Sequence, residues 1–161
     1  MYNDQIIKEV MKKALEHAKT TMNEDIGGPF GAAIIDQDGN IVAISSNSVL
    51  RDHDASAHAE MNAIRMAGEI KGTHDLFGCT LVTTTYPCPM CLSAAIWANI
   101  KHVVYGCNPT DAECIGFRDD FIYRFIQDHQ KDQNIITLNQ MCREDCLPLF
   151  EEYKKKKKII Y

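Results

Sequence analysis

Two short β-branched runs, CTLVTT at 79–84 and HVVYG at 102–106, stand on either side of a stretch of helical length that opens after Pro87. Successive parallel strands need a crossover of about a dozen residues or more, usually a helix. The arrangement therefore predicts a strand-helix-strand unit inside a sheet covered by helices. The rest of the chain extends the alternation. Ile6, Ile7, Val10, Met11, Ala14, Leu15 and Ala18 recur at helical spacing and predict a helix over 4–22. After a break at Gly27-Gly28-Pro29, GAAIID and IVAISS flank Asp38-Gly39-Asn40 and read as a β-hairpin. Apolar positions at 59, 63, 64, 67 and 70 predict a second long helix over 57–70. A helix over 119–130, a last strand IITL at 135–138 and a final helix over 144–158 complete the order. The expected class is α/β: a three-layer α/β/α sandwich on a five-stranded mixed sheet, in a single domain spanning 1–161.

A chain of 161 residues with 45% apolar and 24% charged positions has the balance of an ordinary globular domain. No segment offers the ~20 apolar residues of a membrane span. The opening MYNDQIIKEVMKK lacks a charged-then-apolar signal pattern, which predicts a cytoplasmic protein with reduced thiols. Seven cysteines, an odd count, then argue for packing thiols and a metal site over a disulfide framework. Cys142 and Cys146 read as packing thiols. The net charge of −5 argues against a polyanionic partner. The run Lys154–Lys158 reads as the solvated end of the last helix, where cations meet the negative end of the helix dipole.

Chemistry concentrates in His58-Ala59-Glu60 and Pro87-Cys88-Pro89-Met90-Cys91. Pro89 disfavours helical geometry at Cys88 yet suits the first helical position itself, which makes Cys88 an N-cap and puts Cys91 in the first turn. Both sulfurs then lie at the positive end of a helix, which favours the ligating thiolate. His58 adds a third ligand from the start of the preceding helix. Three protein ligands leave one tetrahedral position open, the arrangement of a catalytic zinc. Zinc lowers the pKa of its water to about 7, and Glu60 is placed to carry protons from that water to a substrate nitrogen and a leaving amine. Taken singly, the Cys-x-x-Cys also fits a redox pair, or half of a structural zinc site completed by Cys79, Cys107, Cys114 or His102. The joint pattern, His-x-Glu followed by Pro-Cys-x-x-Cys, is that of the zinc deaminases that act on nucleobases.

Over nearly its whole length the chain resembles the cytidine deaminase-like superfamily and, within it, the bacterial guanine deaminases. GGPFGAAI at 27–34, Asn47, AHAEMNAIR at 57–65, PCPMCLSAAIWA at 87–98 and TDAECIGFRDDFIY at 110–123 carry the likeness. The resemblance implies one zinc ion per chain and hydrolysis of guanine to xanthine and ammonia. It also implies that Phe30 stacks on a purine, Asn47 hydrogen-bonds it, Trp97 walls the pocket, and Asp119 recognises the base and relays a proton. Packing for Phe30 and Trp97, and turn or cap duty for Asn47 and Asp119, are the competing readings. The family forms a homodimer with a swapped C-terminal segment, here about 144–161, whose terminal tyrosine, here Tyr161, reaches the partner's site. Two departures stand out: Tyr86 replaces the usual glutamate before the Pro-Cys pair, and Asp54-Ala55-Ser56 replaces a segment with proline and threonine. Tyr86 adjoins the pocket, so guanosine, another aminated purine, a pterin or a triazine are alternative substrates. A transfer-RNA adenosine deaminase and a non-enzymatic zinc-binding module are more distant alternatives.

Overall fold

A computed structural model describes residues 3–160, and the chain divides into two units, Met1–Asp120 and Phe121–Tyr161. The first holds a four-stranded sheet of β1 (Gly31–Ile35), β2 (Ile41–Ser46), β3 (Thr80–Thr85) and β4 (His102–Cys107), in the order β2-β1-β3-β4. β1 runs antiparallel to both β2 and β3, and β3 runs parallel to β4. The hairpin turn between β1 and β2 is closed by Asp36, whose Oδ1 accepts from Asp38 N at 3.0 Å and Asn40 N at 2.8 Å. Gly39 supplies the positive φ of 85° that the turn requires.

Side chains along β1 and β3 alternate between two apolar clusters, as the two-residue period of a strand demands. Ala32, Ile34 and Leu81 join Ala59, Ala63 and Ala67 of α3 (Ala59–Lys71) and Ala95 of α4 (Pro89–Trp97) on one face. Ala33, Ile35 and Val82 join Val10 of α1 (Asp4–Asn23), with Ile6, Ile7 and Met11 beside them, on the other. Helices thus cover both faces. α1 starts at Asn3, whose Oδ1 accepts from Gln5 N, and buries Val10, Ala14 and Ala18 one turn apart. Its close approach needs Gly31, because a Cβ there would lie 2.2 Å from Ala14 O.

Among the described residues four strands form where five were expected. IITL at 135–138 takes no strand geometry, and Ile135, Ile136 and Leu138 are exposed. A strand exists only when its backbone finds a partner, and propensity in a four-residue run cannot supply one. Two short helices, α2 (Val49–Asp52) and α5 (Pro109–Cys114), were not legible in the periodicity. The second unit contains most of α6 (Asp120–Gln127) and all of α7 (Arg143–Lys155). None of its described residues is buried. Cys142 and Cys146 are exposed, so neither is the packing thiol expected.

Candidate metal and catalytic centre

Two helix starts converge below the sheet end. His58 is the N-cap of α3 in extended geometry (φ −71°, ψ 156°), and Cys88 is the N-cap of α4 (φ −62°, ψ 167°) with Pro89 behind it. Each keeps its carbonyl in the helix, accepting from Asn62 N and Leu92 N respectively at 2.9 Å. Each leaves its side chain free of any capping bond. Cys91 follows in the first turn of α4 and is fully buried.

The ligand atoms of His58, Cys88 and Cys91 all lie within 4.8 Å of one another. His58 Nδ1 stands 3.6 Å from each sulfur. A tetrahedral zinc with ordinary Zn–N and Zn–S bond lengths requires an N···S separation of about 3.5 Å. The donor set and spacing therefore fit zinc, with Nδ1 as the ligating nitrogen. Cys79, Cys107, Cys114 and His102, the candidate fourth ligands, do not join this set among the described residues.

Electrostatics follow from the same packing. The Cys88 thiol is pulled down to about 4 by its hydrogen bond with Cys91 and by His58. Cys91 is pushed up because it donates to Cys88 and because it is buried. The His58 imidazole is raised, chiefly by its contact with Cys88. Glu60, in the first turn of α3, is only 4% exposed, and burial raises its carboxyl. Its Oε1 accepts from Thr83 Oγ1 at 3.2 Å, and its Oε2 lies 3.6 Å from Cys91 Sγ.

Asn47 is buried at the end of β2, and its Oδ1 accepts from Gly28 N at 3.0 Å and Val49 N at 3.2 Å. Two donors identify that atom as oxygen, so the amide NH₂ points the other way. Asn47 N donates to Phe30 O, and Ser48 N donates to Ala57 O, which ties this loop to the segment before His58. Asp119 is half-buried, and burial followed by the charge of Cys88 raises its carboxyl. Phe30 meets Phe117 edge to face, with ring centres 4.9 Å apart. The sequence assigned no role to Phe117; a Cβ on Gly28 would touch both rings, so Gly28 was the available signal. Trp97 is 74% exposed in the single chain, at the end of α4. Tyr161 lies outside the described residues.

Residues 4–107 match the family described as the cytidine and deoxycytidylate deaminase zinc-binding region. The chain is 41% identical to the guanine deaminase of Bacillus subtilis over 144 residues, 89% of this chain and 91% of that protein. A tRNA-specific adenosine deaminase of the same organism is 33% identical over 92% of this chain and 91% of its own length. The X-ray structure of guanine deaminase from Bacillus subtilis superposes with a TM-score of 0.87 at 39% identity, covering 96% of this chain and 98% of that one. A His/Cys/Cys set spaced for zinc, a buried glutamate against it and a family match across most of the first unit make this chain a member of the cytidine and deoxycytidylate deaminase zinc-binding family.

Proposed function

We propose that the chain hydrolyses guanine to xanthine and ammonia. The observation that carries the reading is the buried Glu60 carboxylate held against a His/Cys/Cys set whose 3.6 Å spacings suit zinc. Similarity to a guanine deaminase over nine-tenths of both chains supports guanine, and the net charge of −5 disfavours a transfer-RNA substrate.

His58, Cys88 and Cys91 hold the zinc, which when bound supplies Lewis-acid chemistry and acidifies a water to a pKa of about 7. Glu60 takes a proton from the attacking water, gives one to a ring nitrogen of the base, and protonates the departing amine. Water adds at C2, the C2–N bond breaks, and ammonia leaves. Asn47, with its oxygen engaged by backbone, offers only N–H donors to the base, which suits the 6-oxo group of guanine. Adenine would set an amino group against those donors and leave one unpaired, at about 1–3 kcal/mol. Asp119 accepts from a ring N–H and relays a proton, while Phe30 holds one face of the base.

The whole chain acts as one deaminase domain within a cytoplasmic homodimer in which the segment 144–161 is exchanged. The exposure of Leu149, Phe150, Ile159 and Ile160, with no buried described residue in the second unit, supports an apolar surface completed by another copy. Trp97 becomes a pocket wall, and Tyr161 reaches the base, only in that dimer. Ammonia release measured across guanine, guanosine, adenine, cytosine and cytidine tests the assignment. Guanine is expected to have the highest kcat/KM; a higher value for any other base overturns it. Sedimentation at micromolar concentration is expected to show a dimer, and a monomer overturns the exchange.

A further inference from the structure

Thr83 sits in the middle of β3, fully buried, between Ala32 of β1 and Tyr105 of β4. The two-residue strand period places it on the same face as Leu81, towards the alanine-rich surfaces of α3 and α4. Valine would fill nearly the same volume there without burying a hydroxyl. A buried hydroxyl is unfavourable unless it finds a partner. Thr83 finds Glu60: its Oγ1 donates to Oε1 at 3.2 Å, across 23 residues of chain. The same strand carries Thr80, whose buried Oγ1 has no partner, so β3 forms without every hydroxyl being paired. Thr84 Oγ1 accepts from Gly31 N and Thr85 Oγ1 donates to Cys107 O, both backbone partners, whereas Thr83 donates to the carboxylate of Glu60.

A carboxylate that moves protons must present one oxygen to the reacting atoms and keep it there, since a misplacement of about 1 Å can cost roughly 100-fold in rate. Thr83 occupies Oε1 and leaves Oε2 facing Cys91 Sγ, 3.6 Å away on the metal side. We propose that Thr83 is the positioning residue for Glu60, pinning Oε1 so that Oε2 alone performs the proton transfers. This rests on the role proposed for Glu60 above.

The test uses full-length zinc-loaded Thr83→Val, Thr83→Ala and Thr83→Ser, with Glu60→Gln as control, and reads zinc content, kcat and KM on guanine. Thr83→Val and Thr83→Ala are expected to keep about one zinc per chain and a KM within about threefold of the parent, while kcat falls about 10- to 100-fold. Thr83→Ser, which keeps the hydroxyl, should restore kcat to within about threefold. Should valine fail to fold, the alanine and serine variants still decide between positioning and packing. Unchanged kcat in the folded valine or alanine variant, or serine as impaired as alanine, overturns the inference. An unimpaired Glu60→Gln instead overturns the proton-carrier role itself, and with it the premise.

Discussion

The substrate role proposed for Asn47 gives it two jobs with two atoms, and a pair of substitutions separates them. Its Oδ1 holds the backbone N–H groups of Gly28 and Val49, and the residue is only 5% exposed. Asn47→Ala leaves both donors unpaired; because both bonds are only partly buried, the pair is worth about 2–4 kcal/mol rather than twice the full penalty. At roughly 2–4 °C per kcal/mol for a chain of this size, Tm should fall by about 5–15 °C. Asn47→Asp keeps an acceptor for both N–H groups and should melt within about 1 kcal/mol of the parent. It replaces the donor face with a second acceptor, however. Against the 6-oxo group of guanine that change removes about 2–4 kcal/mol of transition-state binding, a 30- to 1,000-fold loss in kcat/KM. Thermal melts and steady-state ammonia release on both variants supply the two readouts. An aspartate variant that melts as low as the alanine variant, or that turns over guanine with parental efficiency, rules out this division between the two atoms.

Two other perturbations probe the scaffold and the metal ligands. Gly31→Ala places a Cβ 2.2 Å from Ala14 O and 3.2 Å from Ala18 Cβ, so α1 must shift. Overpacking of this kind destabilises by about 1–3 kcal/mol, and an unchanged melting temperature would show that α1 is less tightly seated. Zinc binding should release protons, because without the metal the Cys88 thiol is pulled down to about 4 while its bond to Cys88 and burial push the Cys91 thiol up, and contact with Cys88 raises the His58 imidazole. Ligation requires Cys91 and His58 to be deprotonated, so affinity falls as pH falls. Calorimetry in two buffers of different ionisation enthalpy should read a release of about one proton or more per zinc; no release would contradict the raised Cys91 thiol.

Most of what positions the site was readable because it is local. Pro89 forces Cys88 into the N-cap whatever the rest of the chain does, and the Ala59, Ala63, Ala67 stripe dictates which side of α3 meets the sheet. His58 and Glu60 follow from that stripe. The nitrogen that faces the sulfurs did not, since ring orientation depends on where α4 arrives. IITL failed as a strand for the same reason: its apolar, β-branched character is a property of four residues, while pairing is a property of two segments. Thr83 looked like one of several threonines in a β-branched run, and only the arrival of α3 gives it Glu60 as an acceptor. The single-chain exposure of Trp97 was not anticipated by either reading of it, pocket wall or packing, although the helix period allows it. Six residues after Cys91, at about 100° per residue, Trp97 must lie well round the helix from the ligating sulfur, which agrees with its exposure in the single chain.

In the proposed centre, the zinc held by His58, Cys88 and Cys91 and the proton carrier Glu60 are separate parts. Glu60→Gln tests this, because the amide keeps the shape and can still meet Thr83 but cannot shuttle protons. Zinc content and ammonia release from guanine, measured on the same preparation, should read about one zinc per chain with turnover lowered by a factor of about 10²–10⁴ or more. Parental turnover in the zinc-loaded variant would remove Glu60 from the proton transfers.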